Sequence, residues 1–229
     1  RCSNPNLMKN PAYLNAAIHY LADKKKGKSI SVMMPYANAL KDVADWYRQL
    51  WAESIGKAFD LKGKKVNVGQ TPVKALGATD QHSQVQLYVE GPNDKIFTFI
   101  GTEKFRAECP IPESFKDIPE LNYLQGHDMG TLLNAELDAT EFALYCAERP
   151  SVKFILDEIS PENVGGLLYL LEVQTAFSGG LYNINAFDQP GVEEGKKATA
   201  ALMGRTKPED IAKAKEIKAF QKLKKQKAL

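Results

Sequence analysis

Three stretches of the 229-residue sequence set chemistry-bearing side chains in short, specific patterns. The first is Glu53-Ser-Ile-Gly-Lys57, closing a helical pattern, with the carboxylate one turn beyond Leu50. A helix C-terminus disfavours negative charge, so a carboxylate kept there at that cost points to a function; an ordinary exposed Glu satisfies the same pattern. The second is Ala78-Thr-Asp-Gln-His-Ser83, a polar turn before an amphipathic stretch, Val85 to Val89. Flanked by Asp80, Gln81 and Ser83, His82 can be held in one tautomer and move a proton near neutral pH, or it can be incidental to a helix-capping cluster. The third is Phe187-Asp-Gln-Pro-Gly-Val-Glu-Glu-Gly-Lys196, which enters a helix with Pro190 suited to the first position. Unpaired N–H groups and the macrodipole make such an entry an anion site, and Lys196 lies within about two turns of it. Asp188 and Gln189 offer an acceptor and an amide to hydroxyls. The plain alternative is Asp188 as a cap and Lys196 as a solvated lysine.

These residues need elements to hold them. Apolar periodicity predicts helices over 11–25, about 38–56 and about 128–148, and another after Ser160-Pro161-Glu162, which supplies a cap, a first-position proline and a first-turn carboxylate. In the first helix the apolar face is read as Leu14, Ala17, Ile18 and Leu21, with His19 at the surface or an interface. The helix after Ser160 leads through Ala176-Phe-Ser-Gly-Gly180 into the third stretch. Strands are expected at 29–34, 66–68, 95–100 and 152–156, and residues 103–123, with Pro110, Pro112 and Pro119, form a connecting loop. Past Met203-Gly204 a last helix carries Ile211, Ile217, Phe220 and Leu223 on a face buried at best on one side, and ends in Lys222, Lys224, Lys225 and Lys227. Lysines there complement the dipole, as in a solvated docking helix. The alternation of helices and strands indicates an α/β fold with a mainly parallel sheet covered on both faces.

Composition excludes several classes. With 30 basic and 28 acidic residues the net charge is +2, which gives no general electrostatic case for nucleic acid or membrane. A nucleic-acid role would rest on the last helix alone. Cys2, Cys109 and Cys146 are widely spaced, which argues against a disulfide framework and fits a reducing compartment. His19, His82 and His127 show no metal-ligand spacing, so no metal is expected. No apolar run of about 18 residues and no secretory signal is visible. The sequence opens at Arg1 with Cys-Ser-Asn-Pro-Asn, which reads like a loop entered from something upstream.

Gly179-x-Leu181-Tyr182-x-x-x-x-Phe187-Asp188-Gln189-x-Gly191-Val192-Glu193-x-x-Lys196 resembles the C-terminal signature of the glucose-6-phosphate isomerases. The segments holding Glu53 and His82 agree with the same family in the same order, and the similarity covers about residues 11–205. The resemblance implies a sugar-isomerase (SIS) fold: α/β, a mainly parallel sheet flanked by helices as a flavodoxin-like three-layer sandwich, with the SIS domain over 1–205 and a C-terminal helical tail over 206–229. It implies cytoplasmic aldose–ketose isomerisation of glucose 6-phosphate and fructose 6-phosphate through a cis-enediolate, without metal or other cofactor. By the same resemblance Glu53 is the base, His82 and Lys196 are the acid and base of ring opening, and Gln189 lies close to the phosphate. His82 reaches the site from the neighbouring subunit of a homodimer. The departures are large. The upstream signature with its Gly-Gly-Arg-Phe-Ser core is absent, since the Gly-Gly pairs at 165 and 179 are each followed by Leu. The Ser/Thr-rich phosphate loop and the arginine beside the enediolate are missing too. The expectation is a C-terminal portion, inactive or nearly so without an N-terminal SIS half. The alternative is an SIS module that binds a phosphosugar without turning it over.

Overall fold

The computed structural model describes residues 2–114 and 116–227, and its contacts separate two units, Arg1–Phe187 and Asp188–Leu229. In chain order the first unit runs α1 (Pro11–Lys26), β1 (Ile30–Pro35), α2 (Lys41–Ile55), β2 (Lys57–Phe59), β3 (Lys65–Val68), β4 (Thr71–Lys74), α3 (Gln81–Glu90), β5 (Lys95–Lys104), α4 (Pro119–Asn122), α5 (Met129–Cys146), β6 (Ser151–Glu158) and α6 (Pro161–Tyr182). One sheet has the order β4-β1-β5-β6, with every pairing parallel. β2 and β3 form a separate antiparallel pair. The chain thus adopts the expected α/β fold, a mainly parallel sheet flanked by helices.

Strand alternation sorts the core into two layers. Met33 and Ile100 point to one face, where they meet Ala44, Tyr47, Trp51 and Ile55 of α2 and Leu167 and Leu171 of α6. Val32, Met34, Phe97 and Phe99 point to the other, against Tyr88 of α3 and Leu137 and Leu144 of α5. The predicted helix ends have clear causes. Asn10 caps α1 by accepting from the amides of Ala12 and Tyr13, and Gly27 stops it at φ 66°. Asp128 caps α5, and Ser160 caps α6 ahead of Pro161.

α1 corrects two expectations. Its buried face is Ala12, Asn15, Ala16, His19 and Ala22, whereas Leu21 of the expected face is 50% exposed. Small residues let α1 lie close to α6, and the buried polar side chains turn inward to partners, although Asn15 Oδ1 has none among the described residues. Asn15 donates to Gln174 over 2.7 Å, and Gln174 donates to the Tyr47 hydroxyl over 3.0 Å. His19 is wholly buried, not superficial: Nε2 lies 3.3 Å from Thr98 Oγ1, Nδ1 3.4 Å from Ser31 Oγ, and the ring stands edge-on to Trp51. Burial drives its pKa down to about 4, against a smaller opposing hydrogen bond with Gln70.

The second unit consists of a 3-10 turn (Pro190–Val192), α7 (Glu193–Leu202) and α8 (Pro208–Lys227). Arg205 reaches both carboxylate oxygens of Asp210, which is buried in the first turn of α8, and so clasps the corner between the helices. The face expected to be buried on α8 is largely open: Ile211, Phe220 and Leu223 are exposed. Lys222, Lys224 and Lys225 are exposed near its end, and the side chain of Lys227 lies outside the described residues. No helix among the described residues is long and apolar enough to cross a membrane.

Candidate active site

Glu53 stands in the last turn of α2, which Ala44, Tyr47, Trp51 and Ile55 hold against the core. That stripe leaves Glu53 partly exposed at the margin, where Gln49 Nε2 donates to its Oε1 over 3.2 Å from one turn back. Leftover carbonyls at a helix end repel a carboxylate. Lys57 answers them: its side chain is buried, and Nζ donates to the carbonyl oxygens of Glu53 over 2.6 Å and Ser54 over 3.1 Å. Gly56 is required between them, because a Cβ there would stand 2.8 Å from the Ala52 carbonyl oxygen. Gly69, at φ +124°, brings the chain back from β3 directly against Ile55 and Gly56. The Glu-Ser-Ile-Gly-Lys spacing is therefore a helix end built around a carboxylate. Reading the sequence assigned Lys57 no role; a lysine four residues after Glu53, just past the helix end, was the available signal.

Beside this end lies a cleft of about 400 Å³, walled by Leu50 and Ser54 of α2 and by Glu172 and Thr175 of α6, and closed by Ala186 and Phe187. The wall depends on how α6 stops. Gly179 and Gly180, expected as a lead-in, remain helical, and Asn183 ends the helix at φ 57°. A Cβ on Gly179 would come within 2.7 Å of the Ala186 Cβ, so that glycine admits the returning chain. Tyr182, another signature residue, donates its hydroxyl to Asp23 over 2.8 Å and packs edge-on against Tyr20. Phe187, 86% exposed, then opens the third chemistry-bearing stretch at the rim of the cleft.

His82 is the second residue of α3 and is exposed. The neighbours expected to hold its ring are engaged elsewhere. Asp80 accepts from the Leu76 amide and from Ser83 Oγ, and Gln81 donates to the Tyr36 hydroxyl over 2.8 Å. Burial pushes the Asp80 carboxyl up, yet hydrogen bonds from Ser83, Leu76 and Gln84 outweigh that and leave it below its ordinary value. Those bonds fix the turn and not the imidazole. Among the described residues no hydrogen bond holds the His82 ring. His127, also exposed, contributes its backbone carbonyl to the Ile111 amide.

Glu53 and His82 are not brought together. The contact of Gly69 with Ile55 puts the end of α2 at the amino ends of the strands, whereas the Gly77 amide bonds the Pro35 carbonyl at the carboxyl end of β1, where α3 begins. The two helices also cover opposite faces of the sheet. Along the strand axis the separation is roughly the length of α2, about 20 Å. The carboxylate therefore lies away from the carboxyl ends of the strands, where open α/β sheets usually bind ligands.

Gln189 and Lys196 belong to the second unit. Gln189 takes the N-cap position of the turn that Pro190 opens, without a side-chain capping bond. Glu193 and Glu194 occupy the first turn of α7, complementing the positive end that the sequence offered to an anion. Lys196 Nζ donates to Glu193 Oε1 over 2.9 Å, and that lysine's hydrogen bond and charge hold the Glu193 carboxyl below its ordinary value. Glu194 pairs instead with Lys213 of α8.

The sequence model of phosphoglucose isomerase matches residues 3–218. The chain belongs to that family. It is 54% identical over 224 residues to the glucose-6-phosphate isomerase of Carboxydothermus hydrogenoformans, a match spanning 96% of this chain and 48% of the relative. With the glucose-6-phosphate isomerase of Methanocaldococcus jannaschii the identity is 45%, over 86% of this chain and 46% of the relative. Among solved structures, a hypothetical protein of Thermus thermophilus superimposes with a TM-score of 0.80 at 39% identity, covering 87% of this chain and 46% of that one. A glucose-6-phosphate isomerase of Chlamydia trachomatis shares the fold, with a TM-score of 0.79 at 23% identity over 96% of this chain and 43% of its own. The chain spans about half the length of the curated relatives it matches.

Proposed function

We propose that this chain is the C-terminal portion of a glucose-6-phosphate isomerase, interconverting glucose 6-phosphate and fructose 6-phosphate once its other half is present. The carrying observation is the helix end built around Glu53, with Lys57 on its carbonyls and a cleft alongside, in a chain that belongs to this family. Aldose–ketose isomerisation needs one carboxylate to take a proton from C2 and return it to C1 of a cis-enediolate, while nearby donors stabilise the developing charge. Glu53 has that role. His82 and Lys196 act at O1 and O5 in ring opening, and Gln189 orients the phosphate. The separation of His82 from Glu53 within one chain supports a homodimer in which each site takes its histidine from the partner subunit. The SIS domain of this reading extends over 1–205, with a tail over 206–229, and its setting is the cytoplasm.

The test is coupled turnover of fructose 6-phosphate to glucose 6-phosphate by this chain alone, by the chain with its complementary half, and by the same pair carrying Glu53→Gln. Activity is expected only from the pair, and the substitution should lower kcat by about a thousandfold, within the range for loss of a general base. A folded pair without turnover would overturn the reading and leave a phosphosugar-binding module as the better account.

A further inference from the structure

The two edges of the parallel sheet are built differently. β4 has four residues and carries Pro72. The amides of Thr71 and Ala75 bond Ser29 and Met33 on β1, so Pro72 falls at an outward position and has no N–H to offer a further strand. β6, at the other edge, has eight residues and no proline. The Phe97 amide bonds the Pro150 carbonyl, so the parallel ladder uses alternate amides from Val152 onward. Those of Lys153, Ile155 and Asp157 turn to the open edge.

Inner strands of this sheet are almost wholly buried, as parallel strands generally are. No residue of β6 is fully buried, and Ile155 is 47% exposed. Lys153, the one positive charge on this edge strand, is drawn aside to Asp138 and Glu141 of α5. That contact lays against β6 the stripe of α5 that continues as Phe142 and Tyr145, 65% and 74% exposed.

We propose that the β6 edge, with Phe142 and Tyr145 beside it, receives a strand from the half of the family polypeptide that this chain does not span. Length argues for that occupant. The Carboxydothermus relative is matched over 48% of its length and the Thermus structure over 46%, so a comparable mass of chain accompanies this one in both. A long edge without proline, its lysine drawn aside to α5, opposite one that is short and blunted, is the side such a neighbour covers. The inference rests on the reading that a second half completes the protein, and not on the role of Glu53.

The experiment titrates the half of the Carboxydothermus protein outside the matched segment into this full chain and follows amide hydrogen exchange. Binding should slow exchange at Lys153, Ile155 and Asp157 by about tenfold or more. Ile155→Pro, which removes an outward amide and no bond to β5, should weaken binding by about tenfold, and Tyr145→Glu should do so without touching the backbone. Absence of binding, binding with these amides unchanged, or normal affinity in Tyr145→Glu would overturn the proposal. So would protection of the same amides in the chain alone as it dimerises, which would make a second copy the occupant. Turnover is not read, so an inactive pair that still protects β6 fails the catalytic reading and leaves this one standing.

Discussion

His19 shows how one residue's surroundings, and not its type, decide its behaviour. Enclosed by Ser31, Thr98 and Trp51 with no exposure, its imidazole is held neutral by the cost of burying a charge. The folded-state pKa of about 4 lies below the ordinary 6.5, so between those values the unfolded chain binds a proton that the folded chain refuses. Stability therefore rises with pH across that window, is complete above it, and is lost as the solution is acidified from about 6.5 towards 4. A shift of that size corresponds to about 3 kcal/mol by the acid end. Urea midpoints at neutral pH and near pH 4.5, compared between the natural chain and His19→Gln, isolate this contribution from that of the carboxylates. The natural chain should lose more on acidification than the variant, and equal losses would refute the assignment. For catalysis, a histidine so buried is unavailable, and of the exposed His82 and His127 the family pattern favours His82.

At the scale of elements, the end of α2 is the feature on which a site depends. Lys57 supplies buried donors to two carbonyls of the turn that carries Glu53. Lys57→Met keeps the stem and removes the donors, leaving those acceptors unsatisfied at a cost of about 1–3 kcal/mol. The expected result is a lower urea midpoint for the chain, together with a fall in kcat larger than any rise in KM for the reconstituted pair. A variant with unchanged kcat would show that Lys57 supports the fold without positioning Glu53. Elements of this kind were partly legible in sequence. The cap at Ser160 and the apolar runs of β1 and β5 declare themselves locally, because each is settled by a few neighbouring residues. β2 and β4 did not: three and four residues long, β2 exists only through its local pairing with β3, and β4 through pairing with the distant β1. The face of α1 was misread for a related reason. Its core side is chosen by the close approach of α6 and by the Asn15–Gln174 bond across 159 residues, which outweighs the apolar count. Likewise the Gly179–Gly180 pair looked like punctuation, while Gly179 is a packing contact with Ala186 inside a continuing helix.

For the whole molecule, the placement of Glu53 and His82 on opposite faces and at opposite ends of one sheet has a quantitative consequence. If each site of a two-fold dimer joins Glu53 of one subunit to His82 of its partner, the two defects can complement. Dimers of Glu53→Gln chains have no base in either site, and dimers of His82→Ala chains lack the ring-opening histidine in both. In the hybrid, one site receives both defects and the other receives neither. Random reassortment of equal amounts makes half of the dimers hybrid, each with one intact site, so activity should return to about one quarter of the natural level. The measurement is turnover of fructose 6-phosphate by the reconstituted enzyme after the two variant dimers are mixed under conditions that exchange subunits, with each variant alone as the baseline. If Glu53 and His82 instead served one site within a single chain, no hybrid would contain an intact pair, and mixing would restore nothing. Recovery near one quarter would require a site assembled across subunits. It would also explain why one chain carries the base and the histidine far apart.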